Sequence, residues 1–117
     1  NIPADRISKF AVIETSADGT MSKILEKPEP AVVAALPEPI CVSMNCWRFG
    51  PKIFAACAAI EPSARGELEL PDAVQYAIEE LGETFAAPQF SAPVLDLSSR
   101  ADVAPVKEAL KDTTVRL

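Results

Sequence analysis

Two opposite charges, Glu26 and Lys27, stand side by side immediately before Pro28. A carboxylate can accept hydrogen bonds from two neighbouring hydroxyls, and an ammonium is a compact partner for a dianion. The bland alternative is an exposed ion pair worth ~0–1 kcal/mol. A further acid, Asp96, sits in the apolar run Val94-Leu95-Asp96-Leu97. That setting is unusual for a carboxylate and marks it as a candidate, against a cap or salt-bridge partner at a strand end. Arg65 lies in a loop, where a guanidinium either meets an anion or stays in water. Asn45 and Arg48 are the polar exceptions in an apolar run, and Trp47 between them reads as core. Histidine is absent, which removes imidazole acid–base chemistry and the common zinc sites. Cys41, Cys46 and Cys57 have no CxxC spacing and read as small, buried, reduced residues.

Composition narrows the class of ligand. At 117 residues the chain fits one small domain, and with 49% hydrophobic and 24% charged residues it reads as globular. A net charge of −6 repels nucleic acid and anionic lipid, and no Lys/Arg cluster overrides it. A small phosphorylated ligand is compatible with that charge, because a few local cations suffice. No apolar run approaches the roughly 20 residues needed to cross a bilayer. The first residues, Asn1-Ile2-Pro3-Ala4-Asp5, are loop-like and lack the basic-then-apolar pattern of a secretory leader. They read as a domain entered partway or a processed or truncated product, and the cytoplasm is the expected compartment.

The elements that must position these residues follow from periodicity. Phe10–Thr15 reads as a strand, Ser16–Gly19 as a turn on the Asp-Gly signal, and Thr20–Glu26 as the antiparallel return. Adjacent strand residues face opposite ways, so Glu26 and Lys27 reach one ligand only if the strand ends there. Pro28, which cannot donate to a ladder, supplies that ending. The proline-rich stretch from Pro28 to Pro39 reads as a loop. Ile40–Phe49, apolar on both parities, predicts a central strand covered on both faces.

Gly50-Pro51 then opens a helix with Ile53, Phe54, Cys57 and Ala58 on one face. Pro71-Asp72 opens another, with Val74, Ala77, Ile78 and Leu81 buried and Gly82 closing it. Thr84–Ala86 and Val94–Leu97 are short strand candidates, and Asp102 caps a last helix facing inward through Val103, Val106 and Leu110. The predicted class is α/β, a mixed sheet with a β-hairpin and about three helices. No phosphate-binding glycine motif is present.

Four stretches, in order, resemble the second half of the sugar-1-phosphate nucleotidyltransferases, the glucose-1-phosphate thymidylyl- and uridylyltransferases and their mannose-1-phosphate guanylyltransferase relatives. Asp18-Gly19 running into Ile24-Leu25-Glu26-Lys27-Pro28 is similar to the family's "D-x-D-G…E-K-P". Ser43-Met44-Asn45-Cys46-Trp47-Arg48-Phe49, followed by Pro51-Lys52-Ile53-Phe54, resembles "S-M-G-I-Y-V-F-x-P-x-I-F". Pro62-Ser63-Ala64-Arg65-Gly66-Glu67-Leu68-Glu69-Leu70-Pro71-Asp72-Ala73 resembles "P-S-A-R-G-E-L-E-I-T-D-A". Val94-Leu95-Asp96-Leu97-Ser98-Ser99 stands where the family has "W-L-D-x-G-T". The run spans nearly the whole chain.

The resemblance implies that residues 1–117 are the C-terminal, sugar-phosphate-binding part of a Rossmann-like nucleotidyltransferase domain. It further implies that Glu26 orients the sugar, Lys27 neutralises its phosphate, and Arg65 is a further phosphate contact. Asn45 stands where relatives carry glycine and is offered to a sugar hydroxyl. Asp96 matches the second metal aspartate, a hard-oxygen ligand for Mg²⁺. The implied reaction joins an NTP to a sugar 1-phosphate, giving an NDP-sugar and pyrophosphate. The family's G-x-G-T-R loop and first metal aspartate lie upstream of Asn1, so these residues alone are not expected to turn over.

There are departures. Ala11 replaces the glycine of "R-Y-G", adding a methyl group, and Ser98-Ser99 replaces Gly-Thr. They support the rival reading of a sugar-phosphate-binding domain without chemistry. An open sheet edge that pairs with a second copy is the third reading.

Overall fold

The computed structural model describes residues 4–92 and 95–114. After a 3-10 segment at Ala4–Lys9, strands β1 (Val12–Thr15) and β2 (Met21–Leu25) form the expected hairpin. Val12 stands opposite Leu25, Ile13 opposite Ile24 and Glu14 opposite Lys23, with a register shift between Glu14 and Thr15. In the turn, the Asp18 carboxylate accepts hydrogen bonds from the Thr20 N–H at 3.0 Å and its Oγ1 at 2.6 Å. Gly19 takes φ +81°, a conformation that glycine adopts without steric cost.

Strand β3 (Cys41–Val42) pairs antiparallel with β1, giving the order β2-β1-β3. The sheet among the described residues is thus antiparallel throughout, not mixed. The long central strand predicted over 40–49 is reduced to this two-residue edge strand. Its pairing extends only to the Ser43 N–H, which donates to the Ala11 carbonyl at 2.8 Å. Two residues later Asn45, at φ +51°, turns the backbone out of the extended region.

The proline-rich loop contains one helical turn, α1 (Pro30–Val33), with Val33 buried. Helix α2 (Lys52–Ala59) follows Pro51, and α3 (Leu70–Glu79) carries Pro71 in its first turn. The two helices pack on each other, and α3 also packs on β2. The core is formed by Ala11, Met21, Ile24, Ile53, Ala56, Ala73, Val74 and Ala77, flanked by half-buried Trp47, Phe49 and Phe85. Trp47 stacks on Phe49 with centroids 5.5 Å apart, as its core reading requires. The α3 stripe is as predicted: Val74 and Ala77 are buried, and Ile78 and Leu81 pack partly against the core. Gly82 closes that helix at φ +62°.

Four other expectations are corrected. Helix α2 buries Ile53 and Ala56, whereas Phe54 is 77% exposed and Cys57 lies on the surface. The cysteines are free, as expected, but Cys46 is also exposed and Cys41 half-buried. Helix α4 (Val103–Leu110) buries none of its residues, so Val103 and Leu110 do not face a core. A 3-10 turn (Arg100–Asp102) precedes it, in which the Asp102 carboxylate accepts from the Ser99 N–H and hydroxyl, both at 2.8 Å. Of the two short strand candidates, Ala86 makes a single bridge to Thr20, and residues 95–97 are not a strand. Val94 lies outside the described residues.

Two outcomes follow from this packing. Val74, fully buried, should lose roughly 2 kcal/mol of stability on Val74→Ala, against under about 0.5 kcal/mol for Phe54→Ala on the surface. Urea unfolding of both variants measures the contrast. The side-chain and backbone hydrogen bonds from Thr20 hold the Asp18 carboxyl below its ordinary value. A lowered folded value gives stability present above the unfolded value and lost as pH falls through the folded one. Thr20→Val should raise the Asp18 midpoint in a carbon-detected NMR titration.

Candidate functional site

Strand β2 stops at Leu25, and the next two residues bend. Lys27 adopts φ +42°, the left-handed region that costs a non-glycine residue about 1–3 kcal/mol. The bend undoes the strand alternation: Lys27 Nζ lies 3.5 Å from Glu26 Oε1, so the two side chains share one side. Pro28, buried behind them, fixes the exit. The Glu26 side chain is 17% exposed and that of Lys27 47%, a partly sheltered acid beside an accessible cation.

Arg65 reaches the same corner from another element. The turn at 63–67 is closed by the Ser63 N–H donating to the Glu67 carbonyl and the Gly66 N–H to the Ser63 carbonyl, each at 2.8 Å. Gly66 accommodates φ +76° there. From this turn Arg65 Nη2 lies 3.7 Å from Glu26 Oε1 and 3.6 Å from Glu67, and it donates a hydrogen bond to Glu69. Desolvation opposes the Arg65 charge, but Glu69 above all, then Glu26 and Glu67, hold the guanidinium above its ordinary value. Both cations meet Glu26 at Oε1. Among the described residues, Oε2 accepts no hydrogen bond.

Asn45 is exposed, and its side-chain amide makes no hydrogen bond among the described residues. Its N–H donates to Ser43 Oγ at 3.2 Å. Lys27 and Asn45 are the two non-glycine residues with positive φ among those described. The Cβ of Ala11 joins the buried core.

Asp96 belongs to a separate cluster. Its Oδ2 accepts from Arg6 Nη2 at 2.9 Å and its Oδ1 from Ser98 Oγ at 2.6 Å. Arg6 also lies 3.8 Å from Asp102, joining the first described segment to the last. No hydrogen bond or ion pair among the described residues links this cluster to Glu26, Lys27 and Arg65. No three acid, cysteine or histidine side chains converge on a metal position among the described residues. One carboxylate is nevertheless enough for an ion that keeps its waters and takes phosphate oxygens. Asp96 fits that part: it is a hard-oxygen ligand, 22% exposed, whose cationic partner is now Arg6.

Sequence reasoning missed Glu69, Ser63 and Arg6. Glu69 is 9% exposed, the residue preceding the first turn of α3, and accepts from Ser63 Oγ at 3.1 Å as well as from Arg65. The visible signal was its spacing of four residues from Arg65, which has no meaning until the 63–67 turn brings the two together. A cleft between β1, β3 and residues 36–40 is lined by Val12, Glu14, Pro37, Pro39 and Cys41, and by none of the five candidates.

Comparison with known proteins shows the family. The family model described as nucleotidyl transferase matches residues 2–91. A UTP–glucose-1-phosphate uridylyltransferase of Haloferax volcanii is 30% identical over 112 residues, covering 96% of this chain and 43% of the relative. A glucose-1-phosphate thymidylyltransferase of Streptomyces griseus is 34% identical over 105 residues, covering 90% of this chain and 28% of the relative. The crystal structure of a UDP-glucose pyrophosphorylase complexed with UDP-glucose superposes with a TM-score of 0.69 at 20% identity, over 97% of this chain and 42% of that one. The chain therefore spans less than half the length of these relatives, and its α/β fold is that of part of their Rossmann-like domain. On the family match and the shared identity, this chain belongs to the nucleotidyl transferase family, among the sugar-1-phosphate nucleotidyltransferases.

Proposed function

We propose that this chain supplies the sugar-phosphate side of an enzyme that joins an NTP to a sugar 1-phosphate, giving an NDP-sugar and pyrophosphate. The observation that carries this reading is the bend at 26–27, which puts an acid with an open oxygen and an accessible ammonium on one side. Glu26 Oε2 accepts from sugar hydroxyls. Lys27, released from Glu26, meets the phosphate as a point charge. Arg65 adds positive potential behind the phosphate, and the Asn45 amide is offered to a hydroxyl at the edge of the sugar.

Asp96 is the Mg²⁺ contact in this reading, with Arg6 yielding the carboxylate. When bound, the ion supplies charge neutralisation between the nucleotide and sugar phosphates. The chain's own part is positioning and electrostatic stabilisation, chemistry that needs no imidazole base. Residues 1–117 then act as the sugar-phosphate part of a larger catalytic domain, in the cytoplasm, and the isolated chain does not release pyrophosphate.

Calorimetric titration with glucose 1-phosphate tests the assignment. Lys27→Ala removes one charge-assisted contact and should weaken binding roughly tenfold. Glu26→Gln should weaken glucose 1-phosphate while leaving inorganic phosphate nearly unchanged, because its contacts are to the sugar. Equal affinity of the wild-type chain for sugar phosphate and inorganic phosphate would remove Glu26 from the site.

A further inference from the structure

The Glu26–Lys27 corner carries three carboxylates against two cations. Around Arg65 stand Glu26, Glu67 and Glu69, with Lys27 as the second cation. Glu67 is solvent-exposed, so its repulsion is screened. The Glu69 side chain is only 11% exposed, and a carboxylate so placed is costly unless paired and hydrogen-bonded. It is both: Arg65 donates to it, and so does the Ser63 hydroxyl. The same Ser63 Oγ accepts from the Arg65 backbone N–H at 3.2 Å, so Glu69 grips the guanidinium and the turn that carries it.

From that grip the guanidinium extends to Glu26 Oε1, the oxygen that Lys27 also meets. Both cations thus bias Glu26 into the rotamer that leaves Oε2 open. We propose that Glu69 is a positioning residue for the sugar subsite: it anchors Arg65 against Glu26 and thereby fixes the direction in which Glu26 presents its free oxygen to the sugar hydroxyls. This rests on the function proposed above. It assigns Arg65 first to the acid and only secondarily to the phosphate, because its hydrogen bond is to Glu69 and its other contacts are to Glu26 and Glu67. The neighbouring Asp72 senses the same charge: burial and then Glu69 raise its carboxyl above the ordinary value, while Arg65 opposes the shift.

The test uses the 117-residue chain, titrated separately with glucose 1-phosphate and inorganic phosphate. Glu69→Gln keeps an acceptor for Ser63 but removes the charge that holds Arg65. It should weaken glucose 1-phosphate roughly tenfold and change inorganic phosphate by less than about twofold. Glu69→Asp, which restores the charge, should recover part of the loss. The Arg65 side-chain NMR signal should lose its protection from solvent exchange in Glu69→Gln. The Asp72 midpoint should fall in the same variant yet stay above its ordinary value, because the burial that chiefly raises it persists only in the folded chain. Equal weakening of both ligands would overturn the proposal by making Arg65 a phosphate contact, and so would unchanged sugar-phosphate affinity. Failure of the wild-type chain to bind glucose 1-phosphate would instead overturn the reading of the site, and the inference with it.

Discussion

Helix α3 packs against both α2 and β2, and the small side chains of Ala73 and Ala77 lie in the core formed there. Both are fully buried, as is Val74 between them. From this helix Gln75 reaches the strand, and its Oε1 accepts the Ile24 N–H at 2.9 Å. A side chain thus substitutes for the missing neighbour strand on the outer edge of β2. The Met21 N–H is satisfied in the same way by the Phe85 carbonyl at 2.8 Å, so the edge is covered and not left as a template for pairing. The start of α3 is thereby set beside the end of β2. Glu69 and Arg65 meet Glu26 because of packing set several residues away.

The corner built this way has a particular charge logic. Every carboxylate near Arg65 lowers the positive potential available to a phosphate, yet each also restricts where the guanidinium points. The Lys27–Glu26 contact, at 3.5 Å and without a hydrogen bond, is weak and easily exchanged for a ligand anion. The Arg65–Glu69 pair is hydrogen-bonded, and separating it leaves the sheltered Glu69 carboxylate without its cation. Both kinds at one site divide the labour: one cation is free to respond to the ligand, and the other keeps the acid aligned.

Much of this was legible in residues 10–28 and 70–82, where local rules and tertiary structure agree. Asp18-Gly19 specifies the hairpin turn, Pro28 specifies the stop, and α3 has a clear apolar stripe ended by a left-handed glycine. Helix α2 was misread because four of its eight residues are alanine, which fits either face, so the pattern could not orient Phe54. The stretch at 40–49 is apolar on both parities, but Asn45 takes a backbone conformation that apolar periodicity does not register. The candidate acids and bases were nameable because their types are rare in their settings. Their partners were not, since Arg6 with Asp96 spans 90 residues and depends on how the two segments close together.

The side-chain bond from Gln75 to Ile24 has a mechanical side. Ordinary hairpins can fray from their free edge while the adjoining helix stays intact. Here the outer strand is fastened to the helix by a single amide that also holds Glu79 at 2.6 Å. Peeling the strand therefore breaks a contact belonging to the helix, and the two elements open as one cooperative unit. Motion in the helix would then register at the strand's end, where the acid–ammonium pair sits.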